Sequence, residues 1–302
     1  MKKAVELEVE GRKIQVSNLD KIMYPEAGFR KGDVIHYYIR IAPFVLPHLH
    51  NRALTLKRYP NGVNGDFFYE KRSPAHRPPW VKTAPIWSGQ NEGNIDYTLA
   101  NDLPTLVWAA NLADLELHTS LACSKKPLRP TMIVFDLDPG PPADIVQCCR
   151  VGLWLREMLD GHGLQAYAKT SGSKGLQVYV PLNTPTTFDA TKAFSLKIAE
   201  HLEQEHPRDV VSNMKKSLRT NKVLVDWSQN SDHKTTVCVY SLRAKQQPSA
   251  STPVTWDEVE TTLKKKDAGR LVFLADEAVR RAEKLGDLFA PVLEQKQKLP
   301  TA

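Results

Sequence analysis

Apolar and polar positions change period along this chain, and the changes predict its elements. From Lys31, KGDVIHYYIRIAPFVLPHL sets Val34, Tyr37, Tyr38 and Ile41 at helical spacing and predicts a helix. ALTLKRYP, just beyond, reads as a strand. VGLWLREMLDGHG carries a second helical stripe that ends on a glycine stop. QAYAKT and LQVYVPL, separated by a short Gly/Ser stretch, predict two strands and their connection. TKAFSLKIAEHLEQEHP places Phe194, Ile198 and Leu202 four apart, with Pro207 just past them, and predicts a further helix. KVLVDW and KTTVCVY read as strands. Strands and helices interleave from 131 to 240, so the expected class is α/β, a sandwich built around a mixed central sheet flanked by helices.

The chain has 302 residues, enough to bury a sizeable core, with no internal repeat, low-complexity tract or long Gly/Ser linker. One continuous body, 1–302, is expected, with Pro-rich joints at SPAHRPPW and DPGPPAD. Within it, residues 1–125 form an approximate N-terminal section, 126–245 a catalytic module and 246–302 a C-terminal helical segment. No run of about 18 apolar residues is present to span a bilayer. MKKAVELEVEG alternates charged with apolar residues where a signal peptide needs a continuous apolar core, so a cytoplasmic protein without membrane contact is expected. Cys123, Cys148, Cys149 and Cys238 form no CxxC pair and no zinc-like grouping, which argues for reduced residues. The net charge of +7 makes a polyanion a reasonable partner, and basic residues outnumber acidic ones from Arg208 to Lys245.

Candidate chemistry begins at TMIVFDLDPGPP, residues 131–142. Side chains at i and i+2 of a strand share a face with α-carbons roughly 6 to 7 Å apart, so Asp136 and Asp138 project together. Adjacent carboxylates repel, and bound divalent cations remove that repulsion. Asp226 ends another apolar strand, KVLVD, and is a candidate third ligand; three such aspartates suit two Mg²⁺ or Mn²⁺ ions about 3.5 to 4 Å apart. TSGSKGLQVYV offers glycines, the Ser171 and Ser173 hydroxyls and Lys174 to an anion, although it lacks the Walker spacing. LADLELHTS places Glu116 and His118 opposite Leu115 and Leu117, which leaves His118 either in a polar cleft or as a structural histidine. Arg243, after a strand, suits a phosphate clamp or a surface ion pair.

SNLDKIMYPEAGFRKGDVIHYY, TLKRYPNGVNGDFFYEK, LELHTS, MIVFDLDPG, TSGSKGL, MKKSLRTNKVLVDWSQN and KTTVCVYSLRA, in that order, resemble the polymerase (primase-polymerase) domain of bacterial ligase D. That domain is the end-joining polymerase of the archaeo-eukaryotic primase superfamily, and its fold is the one the resemblance implies here. The resemblance spans roughly residues 15 to 245, with weaker echoes at VTWDEVE and LGDLFAPVL. It implies that Asp136, Asp138 and Asp226 are the metal-binding catalytic carboxylates. It implies that His118, Ser171, Lys174 and Arg243, joined by Lys57 and Gln229, hold the incoming nucleotide. Asn18, Lys21 and Lys31 match the pocket for a downstream DNA 5′-phosphate, and Phe68 and Tyr69 match the aromatic pair on which template bases stack. Lys216 and Arg219 fall in the loop that positions the primer. Many relatives have SGxKGxH where this chain has Gln177, and glutamine cannot carry a proton.

The resemblance implies a template-directed nucleotidyltransferase acting in non-homologous end joining. Its cofactors are Mn²⁺ or Mg²⁺, its substrates nucleoside triphosphates with ribonucleotides preferred, and its DNA gapped or carrying 3′ overhangs. Ku and a DNA ligase are the implied protein partners. Two other readings stay open at this point: a non-catalytic DNA-end-binding module, and a haloacid-dehalogenase-like phosphatase suggested by VFDLDPG. Proline after the second aspartate and the lack of a later acidic pair weigh against the phosphatase.

Overall fold

In the computed structural model, which describes residues 4–89 and 91–300, the strands gather into two six-stranded sheets and two small hairpins. The chain divides into two units with interleaved segments. The first takes Met1–Ser120, Thr235–Ser251 and Phe273–Gly286; the second takes Leu121–Lys234, Thr252–Val272 and Asp287–Ala302. The segment expected as one C-terminal helical stretch is thus shared between both units.

The first unit opens with the antiparallel hairpin β1 (Ala4–Val9) and β2 (Arg12–Ser17), then β3 (Ile22–Tyr24) paired with β4 (Phe29–Arg30). Helix α1 (Lys31–Leu49) follows where the apolar spacing predicts it, and contains Pro43 and Pro47. Its two tyrosines bury their rings and satisfy their hydroxyls: Tyr38 donates to the Leu115 carbonyl and Tyr37 to that of Tyr240, each at 2.7 Å. Then come β5 (Arg52–Arg58), β6 (Phe68–Glu70), β7 (Thr83–Ser88), β8 (Gly93–Thr98), α2 (Leu103–Asn111) and β9 (Asp114–Cys123). The sheet order is β15-β9-β5-β8-β7, with β6 also on β5 and β15 being Thr236–Val237. Helix α6 (Ala275–Leu285) packs on α1, where Arg40 meets Glu283 at 2.9 Å.

The second unit is built around β10 (Met132–Pro139). It continues through α3 (Ile145–Gly161), β11 (Tyr167–Thr170), β12 (Leu176–Pro181), α4 (Phe188–Glu205), β13 (Val210–Val211) and β14 (Val223–Asp226). β16 (Pro253–Val254), α5 (Trp256–Lys265) and α7 (Pro291–Glu294) complete it. The order β13-β14-β10-β12-β11-β16 is antiparallel except for the β13–β14 pair, which makes this the mixed sheet the sequence predicts. Met132 to Phe135 are all buried, which is why they read as an uninterrupted apolar run. Helix α3 lies over Leu137 and Leu176: a Cβ on Gly152 would meet their side chains at 3.5 and 3.0 Å. That side of the sheet is therefore core, and the alternate positions of β10 face away from α3.

The predicted strand KTTVCVY is shorter than expected. Only Thr236 and Val237 form β15, because Tyr240 adopts a left-handed backbone with φ of 62° and turns the chain away. Of the four free cysteines, Cys148, Cys149 and Cys238 are buried and Cys123 is half-buried. Among the described residues, no helix is long and apolar enough to cross a membrane.

Candidate active site: a row of polar side chains and a buried ion cluster

Pairing in the second unit aligns four polar residues from four strands. Asp136 stands opposite Gln177 of β12 on one side and opposite Asp226 of β14 on the other. Gln177 stands opposite Lys169 of β11. Directly paired residues share a face, so Lys169, Gln177, Asp136 and Asp226 form one row across the sheet, on the side away from α3. Asp138, two residues along β10, shares that face and is half-exposed.

Each carboxylate has its own environment. Asp226 accepts hydrogen bonds from the Ser228 amide at 2.8 Å, the Ser228 hydroxyl at 2.6 Å and the Gln229 amide nitrogen at 2.9 Å. Asn230 holds this loop in place. Its side chain accepts from the Val134 amide at 2.9 Å and donates to the Val134 carbonyl at 2.8 Å, continuing the ladder beyond the end of β14. Asp138 pairs with Arg219 at 3.4 Å. Burial and the charge of Asp226 push the Asp136 carboxyl up to about 6, against the opposing hydrogen bond from Gln177.

Three oxygen-donor carboxylates on one sheet face match the chemistry of a hard divalent cation. Burial contributes most to the raised proton affinity of Asp136 and the charge of Asp226 adds to it, a repulsion that such a cation offsets. Among the described residues, no three His, Cys, Asp or Glu side chains are drawn into a metal-holding group. The reason is visible in the hydrogen bonds, since Asp138 is engaged by Arg219 and Asp226 by Ser228 and Gln229. The donor set fits by type and by face, and joint ligation requires those side chains to reorient.

The turn joining β11 to β12 is closed from within. The buried Ser171 hydroxyl accepts from the Ser173 amide at 3.2 Å and the Gly175 amide at 3.1 Å, while Lys174 is exposed. Gly175 is required because a Cβ there would lie 2.1 Å from the Leu137 carbonyl oxygen. The end of β10 is bound to the segment carrying Lys216 and Arg219, with Gly140 donating to the Lys222 carbonyl at 2.8 Å. Lys216 is exposed and Arg219 also donates to the Met214 carbonyl.

The first unit holds a second cluster. Leu115 and Leu117 of β9 are fully buried, so Glu116 and His118 project to the other side as the alternation predicts. The Glu116 carboxylate meets Lys57 Nζ at 3.2 Å, His118 Nε2 at 3.0 Å, Arg243 Nε at 3.3 Å and the Tyr59 hydroxyl at 3.2 Å. Burial opposes its ionisation, but the His118 hydrogen bond and the charges of Arg243 and Lys57 outweigh burial and hold the carboxyl below the usual range. Burial also lowers the His118 pKa, against the pull of Glu116. An ionised carboxylate only accepts, so Nε2 carries the hydrogen and Nδ1 is left as the second functional nitrogen.

Aromatic rings line the same cluster. Lys57 Nζ lies 4.6 Å from the Phe67 ring centre, 5.3 Å from Tyr59 and 5.5 Å from Tyr69. Tyr69 meets His118 edge-on at 5.8 Å. Phe68 instead covers Arg58 at 5.1 Å, because adjacent strand residues point to opposite faces. Phe68 and Tyr69 are both exposed, yet the ring sharing the Tyr69 side is Phe67.

Asn18, Lys21 and Lys31 come together in the turn before α1. Asn18 has a left-handed φ of 56° and its carbonyl accepts from the Lys21 amide at 3.0 Å. Lys21 is exposed, and its ammonium binds the Pro60 carbonyl and Asn61. Lys31 differs, being buried with Nζ donating to the Ser17 carbonyl at 2.7 Å.

Sequence reasoning left Glu116, Lys169, Asn230 and Phe67 without roles. The alternation of LELHTS places Glu116 beside His118, but its other partners, Lys57, Tyr59 and Arg243, lie far away in the chain. Asn230 and Phe67 sit inside stretches already singled out, WSQN and DFFYEK, without a local signal of what they contact.

The family described as "LigD, primase-polymerase domain" matches residues 30–289. The multifunctional non-homologous end joining protein LigD of Mycolicibacterium smegmatis is 38% identical over 284 residues, covering 93% of this chain and 36% of that protein. The bifunctional non-homologous end joining protein LigD of Bacillus subtilis is 32% identical over 275 residues, covering 91% of this chain and 43% of that protein. The chain thus spans less than half the length of these relatives. Among solved structures, the polymerase domain from Mycobacterium tuberculosis ligase D in complex with DNA superposes with a TM-score of 0.86 at 34% identity, covering 94% of this chain and 99% of that one.

Proposed function

The chain belongs to the LigD primase-polymerase domain family, and from that premise we propose that it is a template-directed nucleotidyltransferase that fills gaps and extends 3′ ends at DNA breaks during non-homologous end joining. The observation that carries this reading is that Asp136, Asp138 and Asp226 share one sheet face, with Asp136 directly opposite Asp226.

In the proposed reaction the primer 3′-oxygen attacks the α-phosphorus, the bond to the β-phosphate breaks, and pyrophosphate leaves. Asp136, Asp138 and Asp226 would hold two divalent ions, Mn²⁺ or Mg²⁺, which when bound lower the pKa of the 3′-hydroxyl and neutralise the triphosphate. The protein's own contribution is alignment and electrostatics. Ser228 and Gln229 hydrogen-bond to Asp226, Asn230 holds their loop, and Gln177 stands opposite Asp136. Lys57, His118, Arg243, Ser171, Lys174 and Gln229 are assigned to the incoming nucleotide, with ribonucleotides preferred. A triphosphate is strongly anionic, and Lys57 and Arg243 outnumber the one carboxylate, Glu116, that they share.

Tyr69 and Phe68 are assigned to the template, where stacking is worth roughly 1 to 3 kcal/mol per base and reads no sequence. Lys216 and Arg219 are assigned to the primer terminus, and Asn18, Lys21 and Lys31 to the downstream 5′-phosphate. Ku and a ligase are the proposed protein partners, on family grounds.

The test is primer extension on a short-gapped duplex with a downstream 5′-phosphate, supplying ribonucleotides or deoxynucleotides with Mn²⁺ or Mg²⁺. Templated addition with release of pyrophosphate, abolished in Asp136→Ala, supports the reading. Binding of the duplex without addition under either metal overturns it in favour of an end-binding module.

A further inference from the structure

The polar row across the second unit starts with a lysine that the proposed reaction does not use. Lys169 is wholly buried in β11, and a buried ammonium is unfavourable unless it is paired and hydrogen-bonded. Its Nζ donates to Oε1 of Gln177 at 2.6 Å and lies 5.4 Å from the centre of the Tyr179 ring. Gln177 is itself 4% exposed and stands directly opposite Asp136 in the β10–β12 pair, where its amide favours the ionised carboxylate. An ammonium only donates and an ionised carboxylate only accepts. Lys169 therefore fixes which end of the Gln177 amide is oxygen, and leaves Nε2 as the end that donates to Asp136.

We propose that Lys169 is a positioning residue for Asp136, acting through Gln177: the lysine sets the amide, and the amide sets the carboxylate that binds metal. This rests on the reading of Asp136 as a metal ligand. The row supplies the independent geometry, since Lys169 faces Gln177 and Gln177 faces Asp136 in successive strand pairs. Without Lys169, the amide is free to turn its oxygen toward Asp136, where two acceptors repel. A partner of a ligand that fixes its orientation typically changes metal affinity by about tenfold or more.

The experiment measures Mn²⁺ binding by the free-ion electron paramagnetic resonance signal, together with kcat and nucleotide KM for gap filling. It compares the intact chain, Asp136→Ala, Lys169→Met, Gln177→Met and the Lys169→Met/Gln177→Met double variant. Lys169→Met and Gln177→Met are each expected to weaken Mn²⁺ binding about tenfold and to lower kcat with nucleotide KM nearly unchanged. The double variant is expected to lose clearly less than the product of the two single losses, because much of the lysine's effect passes through the amide. Unchanged Mn²⁺ binding in Lys169→Met overturns the proposal, as does a double variant whose loss is the product of the two single losses. Should Lys169→Met fail to fold, Gln177→Met decides alone, and Mn²⁺ binding equal to that of the intact chain overturns the proposal. If the intact chain and Asp136→Ala bind Mn²⁺ equally, the metal reading of the carboxylates has failed, and the positioning role falls with it.

Discussion

Asp136 and Asp226 stand directly opposite one another on β10 and β14, two carboxylates on the same face of adjacent antiparallel strands. Burial first, and the charge of Asp226 second, raise the Asp136 carboxyl from an ordinary 3.8 to about 6. A group whose pKa is raised on folding contributes stability below its unfolded value and loses it as pH climbs through the folded one. For metal-free protein the window is therefore about pH 4 to 6, and the loss above it is about 3 kcal/mol at most. Asp136→Asn should then make metal-free protein more stable than the parent at pH 7.5 and no more stable at pH 4, while abolishing nucleotide addition. Urea titrations in chelator at the two pH values test this. Mn²⁺ should raise the melting temperature of the parent and leave that of the variant unmoved.

Glu116 stands at the centre of Lys57, His118, Arg243 and Tyr59, and its carboxyl is held below the usual range. Glu116→Gln leaves two cations without their common counter-charge. Breaking such a buried pairing typically destabilises by about 3 to 5 kcal/mol, and because the pKa is depressed, this contribution is present above about pH 4.5 and fades as pH falls through the lowered folded value. Nucleotide KM should rise by about tenfold or more as Lys57 and Arg243 lose their anchor. A variant with parental stability at pH 7 and unchanged KM contradicts the assignment of Glu116 as the organising residue.

Local pattern carried much of the fold into view and little of the site. The helical stripe of Val34, Tyr37, Tyr38 and Ile41 became α1, and the apolar run ending at Asp136 and Asp138 became a strand with both carboxylates on the side away from α3. Strand register is not local. Nothing near Gln177 announces that it faces Asp136 on one side and Lys169 on the other, and the row exists only once three strand pairs are aligned. The same holds for Glu116, whose partner Arg243 is supplied from beyond β15. KTTVCVY reads as a longer strand because its alternation is sound, but Tyr240 takes a left-handed turn that residue type does not foretell. The unequal burial of Lys21 and Lys31 was equally invisible, since both are lysines in a basic, polar stretch.

That inequality separates two charge reversals. Lys21 is exposed, whereas Lys31 is 5% exposed with its ammonium on the Ser17 carbonyl. Lys21→Glu should erase the preference for a 5′-phosphorylated duplex and leave the melting temperature near that of the parent. Lys31→Glu buries a carboxylate against a carbonyl oxygen, so it should lower stability by several kcal/mol whatever its effect on DNA. Binding assays with and without the 5′-phosphate, paired with thermal melts, distinguish the two. Equal melting of both variants would remove the distinction.

Gly140 offers the sharpest test of how β10 is tied to the basic segment after β13. A Cβ there would lie 1.9 Å from the Arg219 carbonyl oxygen and 2.6 Å from its carbonyl carbon. The contact is backbone against backbone, so no flexible side chain can yield. Gly140 also donates to Lys222 and accepts from Asn221, which fixes the segment at two further points. Gly140→Ala must therefore push Arg219 away, breaking its 3.4 Å pairing with Asp138 and displacing Lys216 with it. Overpacking of this kind destabilises by about 1 to 3 kcal/mol, and primer extension should fall by a larger factor than stability alone explains. Gly161→Ala is the matched control, since an added Cβ there meets nothing within 4 Å and the backbone is not left-handed. That control should be neutral or slightly stabilising. If Gly140→Ala extends primers as well as Gly161→Ala, the position of the basic segment does not depend on its contact with the end of β10.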